Sequence, residues 1–195
     1  MVLALLREDD MHPYEMIRLL RHRRDDRTIP VTNGTLYHTV GRLQRAGLLT
    51  EVGVDRDGNR PERTTYTLTS EGREAVVSWV RHELVRIGHP AEFRVALAEA
   101  HNLAREDALA LLAERRDALA REYDETRAGL ATARETGVPE QYLIEVDRQA
   151  VLLAADLAWT ERVIIRLSEP GYAWGKDPDG AVSDRYLAQR KAARS

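Results

Sequence analysis

Between Leu143 and Leu167 the positions 143, 146, 150, 153, 157, 160, 164 and 167 carry Leu, Val, Ala, Leu, Leu, Thr, Ile and Leu, in steps that alternate strictly between three and four. Such spacing keeps one stripe of a helix turned towards a neighbouring helix, so the stretch predicts a long helix with a coiled-coil seam. Upstream, in the segment 105–133, positions 109, 112, 119, 123 and 130 are Leu, Leu, Leu, Tyr and Leu, and Gly137-Val-Pro139 separates the two segments. Together they read as an antiparallel helical hairpin with no core beyond the shared seam, and a hairpin of that kind needs a partner. The expected interface with a second copy of the chain is Leu143, Val146, Leu153, Leu157 and Ile164. A seam closed wholly within one chain is the alternative.

The first third of the chain changes character every dozen residues. Leu3 to Leu6 is a short apolar run; after Glu8-Asp-Asp10 come Pro13 and Glu15, a helix start, with Met16, Ile17, Leu19 and Leu20 as its buried face. Thr32-Asn-Gly34 opens another helix with Thr32 as N-cap, Leu36, Val40 and Leu43 as its inward stripe and Gly47 as its stop signal. The period then shifts. Leu48 to Val54 reads as a strand, Asp55-Arg-Asp-Gly-Asn-Arg60 as a turn and Thr64 to Leu68 as the returning strand. Thr69-Ser-Glu-Gly-Arg73 starts a helix carrying Ala75, Val76, Trp79, Val80 and Leu84. Helix, helix, helix, hairpin, helix is the order of a winged helix-turn-helix. The fold class expected is therefore mainly α, an N-terminal winged helix-turn-helix with a β-hairpin wing over 1–88, a helical dimerisation region over 89–170 and a tail over 171–195.

Opposite the inward stripe of the helix 32–46 lie Gly34, His38, Gly41, Arg42 and Arg45, flanked by Thr35 and Tyr37. A helix entering a major groove about 12 Å wide needs small residues near its N-terminus and donors that reach base edges or phosphates. Gly34, Thr35 and His38 suit the first need, Arg42 and Arg45 the second. Tyr37 either packs inward or turns its hydroxyl to a phosphate, and Gly41 either permits close approach or is a neutral loss. On the hairpin Arg56, Arg60 and Arg63 alternate with Asp55, Asp57 and Glu62, so only Arg60 and Arg63, beyond the turn, are expected to meet a phosphate backbone.

Charge and composition narrow the function. Net charge is -3; residues 1–88 hold 14 Lys/Arg against 13 Asp/Glu, and 89–195 hold 15 against 19. Binding to double-stranded DNA must then come from a local patch presented twice. With no cysteine there is no disulfide framework, thiolate metal site or cysteine nucleophile, which fits a cytoplasmic protein. The six histidines show no metal-ligand spacing, and there is no Gly-rich phosphate loop. The Asp55–Asn59 turn resembles the start of a calcium loop but lacks the closing Glu. No catalysis, cofactor, metal or membrane association is expected, since no apolar window approaches the roughly 18 residues of a span.

Several linked motifs resemble the PadR family of transcriptional regulators: His12-Pro-Tyr-Glu15, Pro30 to Val40 with Arg42-Leu43 and Gly47-Leu48, Asn59 to Tyr66, and Leu68-Thr-Ser-Glu-Gly72. Residues 92–168 are similar to the virulence-activator α type of C-terminal dimerisation domain in its larger members. Pro13 stands where many members have Gly, and Gly41 where a charged residue is commoner. The resemblance implies a homodimeric, sequence-specific repressor that sits on an inverted-repeat operator and is released by a small molecule. It maps DNA contacts onto Thr35, Tyr37, His38 and Arg42, and onto Arg60 and Arg63 in the wing. For the effector, a flat and mostly apolar molecule, the expected lining is Trp79, Phe93 and Trp159, although the spacing of Trp79 with Ala75, Val76 and Val80 favours core packing for it. The rival function is a helical scaffold whose winged helix binds protein instead of DNA, for which the balanced wing speaks.

Overall fold

The computed structural model describes residues 1–23, 32–55 and 63–175, with Ala188, Gln189 and Ala192 in the tail. It is mainly α: helices α1 (Val2–Glu8), α2 (Pro13–Arg23) and α3 (Asn33–Arg45), strands β1 (Leu49–Asp55) and β2 (Arg63–Leu68), then α4 (Ser70–Val85), α5 (Pro90–Glu99), α6 (Arg105–Glu135) and α7 (Ile144–Ser168). Two compact units share the chain, and the cut falls inside α4 between Val80 and Arg81. The sequence suggests a boundary after residue 88 and a separate tail. In the structure Gln189 accepts a hydrogen bond from Arg23 Nε at 3.3 Å and goes with the N-terminal unit, as do Ala188 and Ala192, whereas residues 171–175 stay with the C-terminal unit.

In the N-terminal unit α1, α2, α3 and the two strands enclose one core of Leu5, Leu6, Met11, Met16, Ile17, Leu19, Leu20, Leu36, Val40, Leu49 and Leu68. Each helix boundary has a chemical cause. At α2 the His12 carbonyl accepts the first intrahelical bond from Met16 N–H at 3.1 Å, its Nδ1 accepts from Tyr14 N–H at 3.0 Å, and Pro13 fills the first helical position. α3 stops at Gly47, φ 72°, where Gly47 N–H reaches Gln44 O at 2.9 Å and Leu48 N–H reaches Leu43 O at 3.0 Å, the two bonds of a Schellman closure. β1 and β2 pair antiparallel from Leu49↔Leu68 to Asp55↔Arg63, with a register shift between Glu51 and Gly53 that leaves Val52 as the extra residue of a bulge. Ahead of α2, Met11 exchanges both backbone hydrogen bonds with Tyr66 at 3.1 Å, adding a one-residue third strand to the hairpin.

The start of α4 is stitched to the end of α3. Thr69 Oγ1 donates to Gly47 O at 2.7 Å and accepts from Gly72 N–H at 3.0 Å, so one hydroxyl caps α4 and holds the turn after α3. Glu71, in the first turn, has its carboxyl held below the ordinary value by its own backbone N–H and then by the Ser70 hydroxyl, as a helix N-terminus favours. Val76 and Val80 are buried on α4, whereas Trp79 is 36% exposed, which corrects its expected place in a core.

In the C-terminal unit α6 and α7 pack along their lengths, and the turn between them is a second Schellman closure: Gly137, φ 79°, donates to Arg134 O at 3.1 Å and Val138 to Ala133 O at 3.0 Å. Arg105 at the start of α6 donates to Leu167 O at 2.5 Å and Glu169 O at 2.7 Å, capping the far end of α7 with a cation. The buried stripe of α6 is Ala108, Leu112, Arg115, Leu119 and Leu130, not the all-apolar set read from the sequence; Leu109 is half-buried. An arginine thus occupies a seam position. Its buried guanidinium lies 3.6 Å over the Phe93 ring, donates to Arg86 O and pairs with Asp156 at 2.6 Å. Of the expected dimer residues, Leu143 and Leu153 are buried and Val146, Leu157 and Ile164 half-buried; Leu143 and Val146 pack with Leu130, Tyr123 and Ala133 of α6. The seam is closed within one chain at that end.

One glycine carries the junction of the wing and α4. A Cβ at Gly72 would stand 1.9 Å from Leu48 O and 3.0 Å from Leu68 Cδ2. Because the obstacle is backbone, Gly72→Ala should destabilise the protein by roughly 3 kcal/mol, read as a lower urea midpoint. An unchanged midpoint would show that the junction yields freely.

Candidate nucleic-acid interface

The site is the outer face of α3. Thr32 Oγ1 accepts Thr35 N–H at 3.1 Å and Thr35 Oγ1 accepts Thr32 N–H at 2.9 Å, so the helix begins in a reciprocal cap as well as ending in a Schellman closure. With Leu36 and Val40 buried and Leu43 partly so, the face opposite is fixed outward: Gly34, Thr35, Tyr37, His38, Arg42 and Arg45 are all exposed and Gly41 is half-exposed. The expected face is the one observed. Its side chains differ in freedom, however. The Thr35 hydroxyl also donates to Thr32 O at 3.0 Å, so it is occupied within the cap, and Arg45 Nε folds back onto Gly41 O at 3.2 Å. Arg42 and His38 make no hydrogen bond or ion pair with the described residues, which leaves them as the exposed, unengaged donors of the face.

Tyr37 is 47% exposed, so the inward packing considered for it is not what forms. Its ring meets His12 edge-on, centroids 6.3 Å apart at 71°. Beside it Tyr66 has its phenol pushed above the ordinary value, first by burial and then by Glu51 and by Tyr37 itself; it stays neutral and keeps its proton as a donor. Glu51 is held by Gln44 at 2.9 Å. α3 contains no carboxylate, and Arg42 and Arg45 lie in its last turn, so anions meet no repulsion from this helix. In the wing Arg63 opens β2 opposite Asp55; Arg56 and Arg60 lie outside the described residues. His12 was part of a sequence motif, but its contact with Tyr37 was not foreseen; the one signal was a polar residue just ahead of a proline helix start.

In the C-terminal unit the structure brings Phe93 and Trp159 together, edge to face with centroids 6.1 Å apart. Phe93 is buried beneath Arg115, whereas Trp159 borders an open groove of about 400 Å³ lined also by Arg162, Val163, Ile165, Arg166 and Glu169. Trp79 belongs to the other unit.

A capped, carboxylate-free third helix followed by a two-stranded wing is the arrangement of a winged helix-turn-helix, a class built to place one helix in a DNA groove. Residues 2–78 match the Transcriptional regulator PadR-like family. No curated relative matches the sequence. Among solved structures it is similar to Bacillus subtilis PadR in complex with operator DNA, at 16% identity over 86% of this chain and 97% of that one, TM-score 0.40. It is also similar to smu.1604c from Streptococcus mutans, at 19% identity over 85% and 93%, TM-score 0.39. A third likeness is to Bacillus subtilis PadR in complex with p-coumaric acid, at 15% identity over 86% and 96%, TM-score 0.36. Among the described residues no helix is long and apolar enough to cross a membrane.

Gly41 lies on this face with nothing within 4 Å of a Cβ built on it. Gly41→Ala should therefore stabilise α3 by about 1 kcal/mol and raise the melting temperature by about 2–4 °C. Loss of DNA affinity in that stabilised protein would mark residue 41 as a point of close approach; an unraised melting temperature would contradict the open packing.

Proposed function

We propose that the chain is a dimeric, sequence-specific repressor that presents α3 twice to an inverted-repeat operator and is released by a small aromatic ligand, with no catalytic step of its own. The observation that carries the DNA reading is the outer face of α3, where Arg42 and His38 stand exposed on a carboxylate-free helix capped at both ends. Residues 1–80 hold 12 Lys/Arg and 12 Asp/Glu, so a single unit attracts DNA only locally, and two copies must share the contact. Gly34, Thr35, Tyr37 and Arg45 complete the face, and Arg60 and Arg63 are assigned to the phosphates beside the wing.

For the second copy we assign α7, the helix on which the sequence seam lies. Leu143 and Leu153 are already buried, so Val146, Leu157 and Ile164 contribute what they leave uncovered. The larger free surface is the adjoining stripe Ile144, Val151, Leu152 and Ile165, of which Ile144 is 68% and Ile165 67% exposed. Apolar side chains in such a row mark an association surface. For the effector, the groove beside Trp159 supplies an aromatic edge and two arginines, with Phe93 supporting Trp159 from behind. A ligand placed there shifts the regulator only if it binds the free arrangement better than the DNA-bound one.

Titrating a duplex selected from random sequence tests the DNA reading. Affinity should fall steeply with salt, and Arg42→Ala should weaken binding by roughly 1 to 3 kcal/mol without altering oligomeric state. A flat salt response would favour the rival reading, a winged helix that binds protein.

Assembly is tested separately. Val151→Glu with Ile165→Glu, both surface changes, should leave the helix content intact and convert dimer to monomer in sedimentation. An undisturbed dimer would place the interface on another face.

A further inference from the structure

We propose that His12 is the residue that positions Tyr37 for DNA. This rests on the reading of Tyr37 as a DNA contact. Tyr37 stands 47% exposed near the N-terminal end of α3, on a side chain with two free torsions. An aromatic ring so exposed keeps one orientation only if a neighbour holds it, and among the described residues the ring that meets it edge-on is the His12 imidazole, at 6.3 Å and 71°.

His12 is itself held from three sides. Its carbonyl and its Nδ1 both cap α2, through Met16 N–H at 3.1 Å and Tyr14 N–H at 3.0 Å. Pro13 fixes the backbone that follows, and Met11 before it is fully buried and bridged to Tyr66 in both directions at 3.1 Å. The imidazole therefore cannot turn without breaking the cap, and its backbone cannot shift without breaking the bridge to β2. Through this one residue the wing strand and the recognition helix share a reference point: β2 sets Met11, Met11 sets His12, and the His12 ring sets the tilt of the Tyr37 phenol. Tyr66, on the same strand, lies close enough to Tyr37 to feel its charge. His12 is thus a positioning residue that shapes recognition without being assigned a contact of its own.

The cap and the ring contact are separable by substitution. Asn caps a helix about as well as any residue, so His12→Asn keeps an acceptor for Tyr14 N–H and removes the ring. In the full-length protein His12→Asn should melt within about 2 °C of the parent yet bind the selected duplex about three- to tenfold more weakly, the value of one aromatic edge contact. Tyr37→Ala should weaken binding at least as much, and the double variant should bind no worse than Tyr37→Ala alone. Unchanged affinity of His12→Asn, or losses that simply add in the double variant, would overturn the proposal while leaving Tyr37 a DNA contact. Parent-like binding by Tyr37→Ala would overturn the reading beneath it, and the proposal with it. His12→Ala, lacking both functions, should show the same binding loss plus a lower melting temperature.

Discussion

The two backbone hydrogen bonds between Met11 and Tyr66 set the geometry on which the N-terminal unit depends. A hairpin of two strands is marginal in water by itself, and here the linker between α1 and α2 lends it a third strand one residue long. The side chain of Met11 is fully buried in the core, so the bridge is clamped from inside as well as along the edge. From that point α2 starts at a fixed place through the His12 cap, α3 packs on α2, and the end of α3 is tied through Gly47 and Thr69 to the start of α4. Helix, wing and following helix are thereby joined by backbone groups, whose geometry tolerates little drift.

The second unit is organised around a charge. Arg115 occupies a position where the helix pattern asks for a hydrophobe, and its guanidinium is accommodated by the Phe93 face, the Arg86 carbonyl and Asp156. Asp156 is 38% exposed while Arg115 is only 3% exposed, so the pair is buried on one side only, and among the described residues Nε of Arg115 has no hydrogen-bond partner. A leucine there would satisfy packing without tying α6 to the segment after α4. The arginine reaches three elements at once, α5 through Phe93, α7 through Asp156 and the chain at Arg86. Buried ionic groups of this kind cost desolvation and give directional constraint in return, and the constraint falls where α5, α6 and α7 meet.

Much of this was legible in the sequence because the deciding interactions lie within five residues of each other along the chain. Thr32 capping Thr35, Gly47 and Gly137 closing their helices, Pro13 opening α2 and Thr69 opening α4 all depend on local backbone chemistry that residue type alone dictates. The 3.6-residue period likewise settled which face of α3 would point outward, since Leu36, Val40 and Leu43 leave no other choice. The order of helices and strands, and with it the winged helix, followed from these signals.

Contacts between residues far apart in sequence had to wait for the tertiary structure. Nothing in the 3,4 pattern of 143–167 says whether the covering helix is α6 of the same chain or a helix of a second copy, because apolar spacing specifies a seam and not its owner; packing put Leu143 and Val146 against α6 and left Ile144, Val151, Leu152 and Ile165 outside. Arg115 was invisible to a search for apolar periodicity because charge masks burial when its partners, Arg86 and Asp156, lie 29 and 41 residues away. Trp79 and Tyr37, large rings that hydrophobicity alone sends inward, ended 36% and 47% exposed, an outcome their spacing in the sequence does not reveal. The sequence by itself determined the elements, their ends and the outward face of α3; which side chains on that face fold back onto their own helix or lean on a neighbour such as His12, only the folded packing decided.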